Sequence, residues 1–570
     1  MYHYRPTTLY PRIRTAIVAL SCVFAGTASA QTAEILTEPR QTIKGWGAWP
    51  AYCRSDWGSD WHIFDKPHLQ SLVYESLGIN YVRVDIQPRF YDCHNGTLNE
   101  TALNDMVEHL RIAQSKGVSK WIVSVWSPPC CMKTPGHIDG RITEWTANKT
   151  DCVTGEQIPV GTVTSLNPQK VDQFCDYLVD VLMYLQDRGL GTPDNISPQN
   201  EPLYDPGYDG CVYNTFNMEK SNRLLYHQVI KTLRSKLDHA GLTTVKVLAP
   251  EGNHYGHHPH LLGTGFSDLE TDLALRDAVG AIGTHSYDQW GQTVGAVRTF
   301  VDGARTYDKE IWMTEWCAYN GAGTVIPDDS ELSMAIWVTR HFIREMVLLT
   351  AEYWFWWQAY NKQWTPMDGE ALIMGTESQP VFSRLYYLFS RIWNTVRPGS
   401  LVYPMSSSDV ELIADNTSSD NIADSELWFN MVAFESDTNQ AILLVNHTTT
   451  HKQLALSGVK VPSLNPFVMD QSRNMEAAAP ISVTDGSASI RLPQRSVVLL
   501  TGTKSPTGLQ HRSPEALHRS SVQHSANDYV DLCGRKIPAS VERSATGVMI
   551  LNQKDMGGAV LKVNLSRRAH

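Results

Sequence analysis

Tyr81-Val82-Arg83-Val84-Asp85 is a short strand pattern, and Leu103, Met106, Val107, Leu110 and Ala113 after it mark one face of a helix that Gly117 closes. The same unit recurs along the chain. Trp121 to Trp126 is the next strand, followed by a helix with Val171, Phe174, Leu178, Val181 and Leu185 on one side and Gly189 at its end. Ile196 to Gln199 is a strand, and a helix bearing Leu225, Val229, Leu233 and Leu237 leads to the strand Val245 to Ala249. Ala281 to His285, Ile311 to Thr314 and Tyr353 to Trp357 are further strands, and Gly45-Trp46-Gly47 is the first. Eight alternating units over about 350 residues predict a closed (β/α)8 TIM barrel, an α/β fold spanning 45–398.

After Pro398 the pattern changes. Leu427 to Phe434, Ala441 to Val445, Phe467 to Met469, Ile481 to Val483, Ser487 to Leu492 and Ser496 to Thr501 follow one another with turn residues and no helix between them. This predicts an attached antiparallel β-sandwich over 399–503, which the segment 31–44 extends by a strand. Residues 504–527 are rich in Ser, His, Arg and Gln without apolar periodicity and read as a linker. The tail, 528–570, carries a strand pair, Tyr529 to Lys536 and Gly547 to Leu551, whose wording is similar to sorting signals of some exported bacterial proteins.

At the other end, Arg12 and Arg14 precede the apolar run Ala16 to Phe24, which ends in Ala28-Ser29-Ala30. These are the parts of a secretory signal peptide over 1–30, so the chain is expected to be secreted. No later run is apolar for long enough to span a bilayer.

Of the ten cysteines, Cys53, Cys93, Cys130, Cys131, Cys152, Cys175, Cys211 and Cys317 fall in one stretch. In an exported chain this even set reads as disulfides, of undecided connectivity. No Cys-x-x-Cys pair supports zinc. His254, His257, His258 and His260 crowd one loop, but such a loop is more often solvated than metallated, so neither metal nor cofactor is expected. The net charge of −11 argues against a nucleic-acid partner. The 17 Trp outnumber both Met (16) and Phe (14), a first hint of platforms for sugar rings. N-x-S/T triplets stand at Asn95, Asn99, Asn148, Asn195, Asn416, Asn446 and Asn564.

Strand ends of a parallel barrel gather at one face, where polar residues are functional candidates. The fourth strand runs out through Gln199-Asn200-Glu201-Pro202 and the seventh through Thr314-Glu315-Trp316. On opposite sides of an eight-strand ring the two carboxylates face each other across its mouth. Such a pair suits glycoside hydrolysis: one carboxyl protonates the leaving oxygen and the other attacks the anomeric carbon. The competing reading of each glutamate is a structural ion pair.

In series with Asn200-Glu201-Pro202 and Thr314-Glu315 come Gly45-Trp46-Gly47-Ala48, Trp126-Ser127-Pro128-Pro129 with Met132-Lys133, Ala249-Pro250-Glu251, Gly283-Thr284-His285-Ser286-Tyr287, Tyr386-Tyr387 with Phe389-Ser390, and Arg397-Pro398-Gly399. Over roughly residues 40 to 502 this series resembles glycoside hydrolase family 30, of the clan A retaining enzymes, and is nearest in wording to its xylanase branch. The resemblance implies Glu201 as acid/base and Glu315 as nucleophile, with β-1,4-xylan the first expected polysaccharide substrate. Rival activities are β-1,6-glucanase and exo-acting β-xylosidase or β-glucosidase. A non-catalytic carbohydrate-binding protein is the rival of another class. The arginine that pairs with uronate in that branch is missing from Gln358-Ala359-Tyr360-Asn361-Lys362-Gln363-Trp364.

Further substrate-binding candidates follow. Asn200 is placed to donate to a sugar hydroxyl, Tyr287 to hydrogen-bond the nucleophile, and Arg83 to hold the carboxylates. Trp126, Trp356, Trp357 and Trp316 are candidates to stack on sugars, with core packing as their competing use. His285 is the last candidate, with a satisfied interior histidine as its alternative.

Overall fold

The computed structural model describes residues 31–52, 62–213, 221–287, 294–318, 330–408 and 430–505, with the short pairs 542–543 and 549–550. Eight parallel strands close a barrel in chain order: β1 (Gly45–Ala48), β2 (Tyr81–Ile86), β3 (Lys120–Val125), β4 (Asn195–Ser197), β5 (Lys246–Gly252), β6 (Val279–His285), β7 (Ile311–Glu315) and β8 (Tyr353–Trp356). β8 returns to β1 in a register that sets Tyr353 beside Gly45 and Trp356 beside Ala48. Helices Glu100–Ser115, Val171–Asp187, Ser221–His239, Val294–Thr306 and Glu331–Arg344 lie between successive strands. β5 outruns its apolar stretch and carries Pro250, Glu251 and Gly252 up to the mouth.

Strand alternation divides the residues between two cores. On β2, Val82, Val84 and Ile86 pack outward with the helices. Tyr81 points inward, into a separate cluster with Ile122, Leu248, Ala281, Trp312, Tyr353 and Phe355. These rings fill the barrel floor so completely that β1 contributes only backbone. A Cβ on Gly45 would lie 2.7 Å from the rings of Tyr353 and Tyr81, and one on Gly47 would lie 2.2 Å from that of Phe355. Inward residues above this floor, Arg83 and Asp85, are polar and enter the site.

The sandwich has a four-stranded sheet, Met405–Ser407, Gln31–Ile35, Lys452–Ser457 and Ser487–Leu492, facing a larger sheet built on Met431–Glu435, Asn439–Asn446, Ser496–Thr503 and Ser463–Met469. Ile442, Leu444, Val498 and Leu500 fill the space between the sheets. The alternate residues Leu443, Val445, Val497 and Leu499 join the barrel's outer core. Both faces of that sheet are therefore buried, which explains its continuous apolar runs. Strand Lys452–Ser457 escaped the sequence reading because every second residue is exposed and a lysine opens it.

The expectation that all eight clustered cysteines are bridged needs correction. Cys93 pairs with Cys131 and Cys130 with Cys152, so of two adjacent residues one ties the connection after β3 to the one after β2 and the other closes a loop within its own connection. Cys175 and Cys211 are buried thiols; Cys175 faces the core from mid-helix, where its Sγ donates to the Val229 carbonyl at 3.7 Å. Cys53 lies outside the described residues. Of the glycosylation triplets, Asn195 and Asn446 are fully buried.

Residues 1–30 and nearly all of 504–527 lie outside the described residues, as does the expected strand Tyr529 to Lys536. Pro506–His570 is a separate compact unit in which Glu542–Arg543 pairs antiparallel with Met549–Ile550. No helix among the described residues is long and apolar enough to cross a membrane.

Candidate active site

The β4 chain end is fixed by backbone contacts before any side chain is considered. Asn200 N–H donates to the Val125 carbonyl at 2.7 Å and Glu201 N–H to the Glu251 carbonyl at 3.0 Å. Gln199 Nε2 donates to the carbonyls of Trp126 and Asn200. Glu201 sits at φ 48°, as does Glu251, a left-handed conformation that non-glycine residues hold only where the surroundings impose it.

Glu315 ends β7. Its Oε2 accepts from Arg83 Nη1 at 2.5 Å, and its Oε1 from Tyr287 Oη at 2.9 Å. The same guanidinium donates from Nη2 to Asn200 Oδ1 at 2.7 Å and to Glu251 Oε1 at 3.2 Å, and from Nε to Ser124 Oγ. Arg83 thus fastens β2 to β3, β4, β5 and β7 in one array of charge-assisted bonds. His285 Nδ1 lies 2.8 Å from Glu201 Oε1 and 3.8 Å from Glu315 Oε1. One oxygen of Glu201, one of Glu315 and one nitrogen of His285 all fall within 4.8 Å of one another.

Environment then separates the acids. Burial raises Glu201 above the ordinary carboxylate range, opposed by the hydrogen bond and charge of His285. Burial would also raise Glu251, but Arg83 and His285 outweigh it and hold that carboxyl at about 2. Burial would lower His285; the carboxylates of Glu315, Glu201 and Glu251 overcome this and bring it to about 9. A protonated imidazole and a guanidinium therefore sit beneath the glutamates.

Above them opens a cavity of about 600 Å³ lined by Asn200, Glu201, Tyr287 and Glu315 together with Trp126 and Trp357. Trp49 stands edge-on to both indoles, with ring centroids 4.6 Å away in each case, so the three form one aromatic wall. Other candidates lie elsewhere. Trp356 is fully buried, gives its Nε1–H to the Glu370 carbonyl at 2.6 Å and packs on Phe389. Strand alternation turns it away from Trp357, so its expected stacking on sugar does not hold. Trp316 is equally buried, stacked on His341 at 3.6 Å. Arg83 holds the carboxylates as expected, and His285 is an interior histidine paired with Glu201; neither is among the residues that line the cavity, which corrects their inclusion among the substrate-binding candidates.

The crowded histidine loop is turned inward. His258 Nδ1 lies 2.6 Å from the Tyr255 carbonyl, and burial depresses His254 and His258 to about 4. The sequence reading missed Trp49, Tyr52, Asp85, Gln87 and Glu370, which also line the cavity. For Asp85 the signal was present: Arg83 and Asp85 alternate on one face of a strand whose other face is apolar.

A model of glycosyl hydrolase family 59 matches residues 208–397. No curated protein matches the chain. Among solved structures, a GH30 endoxylanase from Clostridium papyrosolvens C71 is 21% identical, with a TM-score of 0.58, over 83% of this chain and 100% of that one. A family 30 subfamily 8 xylanase from Clostridium acetobutylicum is 20% identical, with a TM-score of 0.59, over the same shares. The catalytic domain of GH30 xylanase C from Talaromyces cellulolyticus is 17% identical, also at 0.59, again over 83% and 100%. Identities this low show the fold alone: a barrel with an attached sandwich, of the kind glycosidases use. The assignment to family 30, and the xylanase reading that came with it, is overturned by the family 59 match. Asn-Glu-Pro and Thr-Glu mark strand ends of this barrel and do not single out one family.

Proposed function

We propose that this protein is a retaining β-glycoside hydrolase. The observation that carries the reading is the approach of Glu201 and Glu315 to within 4.8 Å on opposite strands at the floor of an aromatic-walled cavity. That spacing favours direct attack over a water-mediated one, since inverting pairs stand about 6.5–9.5 Å apart. Glu315, oriented by Arg83 and Tyr287, attacks the anomeric carbon as the glycosidic C–O bond breaks. Glu201, its pKa raised by burial against the pull of His285, gives its proton to the departing oxygen. Water then loses a proton to Glu201 and displaces Glu315, restoring both residues. Arg83 also fixes Asn200 for a hydroxyl next to the reacting carbon. The two disulfides support the export reading.

A 2-deoxy-2-fluoro glycoside with a good leaving group tests this. Mass spectrometry is expected to find the sugar on the peptide containing Glu315, and the first product of an ordinary aryl β-glycoside to be the β-anomer. An inverted product, or a label on another residue, overturns the proposal.

A further inference from the structure

The oxygen that Glu201 protonates carries the leaving group, so that group lies on the side of the cavity built by the chain after β4. This chain presents aromatic rings. Tyr204 donates its N–H to the Glu201 carbonyl at 2.9 Å, which holds it in a turn directly after the acid. Tyr204 and Tyr208 both line the cavity, and their ring centroids stand 6.5 Å apart, edge to face. Both are nonetheless open to solvent, at 41% and 55% exposure, and Trp145, in the connection after β3, is 92% exposed. A single apolar ring on a surface is ordinary; three on paired connections beside a cavity mark a binding surface.

The frame under these rings is rigid. The connections after β3 and β4 are zipped together: Gly140 N–H donates to the Tyr208 carbonyl at 2.9 Å, Arg141 N–H to that of Pro206 at 2.8 Å, and Gly210 N–H to that of Ile138 at 3.0 Å. Arg141 Nε also donates to Asp205 Oδ2 at 2.7 Å. Thr143 closes on Gly207, where a Cβ would lie 2.7 Å from its Cγ2. Trp145 stands two residues beyond that contact, in the loop that the Cys130–Cys152 disulfide closes. Rings held on such a ledge lose little freedom when a ligand covers them.

The setting decides what covers them. Asp205 follows Tyr204, its ion pair with Arg141 belongs to the ledge, and Glu144 beside Trp145 is exposed. An acyl chain laid across these rings would strip water from those charges. A sugar offers a flat C–H face to each ring and hydroxyls to the charged groups.

We propose that Tyr204, Tyr208 and Trp145 form a leaving-group site for a saccharide of several units, the unit on the scissile oxygen covering the tyrosines and a later unit covering Trp145. This rests on the glycosidase reading and deepens it: the chain beyond the cleaved bond is itself a glycan.

The trapped enzyme, with a 2-deoxy-2-fluoro sugar on Glu315, reads this site directly. An acceptor bound on the ledge releases the sugar: the acceptor's hydroxyl oxygen bonds to the anomeric carbon, its proton goes to Glu201, and the bond to Glu315 breaks. The acceptors are disaccharides and tetrasaccharides of the β-1,4-xylo, β-1,4-gluco, β-1,4-manno and β-1,6-gluco series, with 1-octanol as the apolar acceptor and water alone as the reference for each protein. At least one saccharide series is expected to speed release from the wild type saturably, the tetrasaccharide about tenfold more effectively than the disaccharide. Trp145→Ala is expected to lose the advantage of the tetrasaccharide over the disaccharide. Tyr208→Ala is expected to lose about tenfold in the effect of the disaccharide relative to water, and Tyr208→Phe, which keeps the ring, to retain it. Three results overturn the site and leave the glycosidase standing: release no faster with any saccharide than in water, faster release by octanol than by every saccharide, or undiminished ratios in Trp145→Ala or Tyr208→Ala. Failure of the 2-fluoro glycoside to label Glu315 overturns the glycosidase reading and the site with it.

Discussion

The imidazole Nδ1 of His285 stands 2.8 Å from Oε1 of Glu201, and this contact links the protonation of the proposed acid/base to a cation that never touches solvent. His285 lowers Glu201 through its hydrogen bond and charge, against the upward push of burial. Removing the imidazolium therefore lets Glu201 rise further. His285→Asn is expected to move the alkaline limb of the kcat/KM profile to higher pH while reducing its plateau. A limb that stays in place, or moves down, would show that the contact does not set the acid.

Glu251 has no catalytic task in this scheme, yet it is fully buried against Arg83 and Ser124. Its carboxyl is depressed from 4.5 to about 2. An acid depressed by folding stabilises the native state fully above its unfolded value, and that contribution is lost as pH falls through the folded one. The window is thus roughly pH 4.5 down to 2, worth up to about 3 kcal/mol. Glu251→Gln is expected to flatten the decline of stability across this window in urea melts, and to lower stability at pH 7 by leaving Arg83 undercompensated. An equally steep decline in the variant would contradict the assignment.

How far the sequence reached can be judged from these residues. Glu315 was legible because it ends a mostly apolar strand and Glu201 because it stands in Asn-Glu-Pro just past the short fourth strand, and the eight-unit rhythm said where strand ends meet. Glu251 was visible only as part of a motif, since β5 overruns its apolar stretch and nothing local reveals the left-handed turn at its end. Trp356 and Trp357 differ by one position and point to opposite sides of the barrel wall. That distinction depends on register, which composition does not carry. The cysteines misled for a related reason: an even number says nothing about which side chains a helix turns into the core. Family membership was the weakest inference, because strand-end chemistry is shared by many enzymes on this barrel.

The two tryptophans supply a direct contrast. Trp356→Ala is expected to cost about 3–5 kcal/mol, as loss of a core aromatic does, with kinetics changed only through the folded fraction. Trp357→Ala, on the cavity wall, is expected to alter stability far less and to raise KM for a glycoside by about tenfold. Chemical denaturation and initial rates on both variants separate the roles. The reverse pattern would mean that the stacking surface lies on the other face.

Gly47 tests the barrel floor. Its missing Cβ would fall 2.2 Å from Cδ1 and Cε1 of Phe355, whose ring is fully buried among Tyr81, Trp312 and Tyr353. The ring has nowhere to retreat, so Gly47→Ala is expected to destabilise by about 1–3 kcal/mol or more. Pairing it with Phe355→Leu is expected to recover part of that loss. Melting of the single and double variants measures it, and a double variant no better than the sum of the singles would rule out the clash.

Asp85 gives the last prediction, and its sign is opposite to that of Glu251. Burial raises this acid from 3.8 to about 6 in the folded chain, against the hydrogen bond of Gln87 and the charge of Arg89 and with Asp209 adding to it. A carboxyl raised by folding costs nothing below its unfolded value, where both states are protonated, and its full cost appears once pH exceeds the folded value. Asp85→Asn is therefore expected to match the wild type in stability near pH 4 and to exceed it by roughly 1–3 kcal/mol above pH 6. Thermal melts from pH 4 to 8 decide the point: a variant less stable than the wild type at pH 7 would show that the contacts of the Asp85 carboxylate with its neighbours outweigh the cost of burying it.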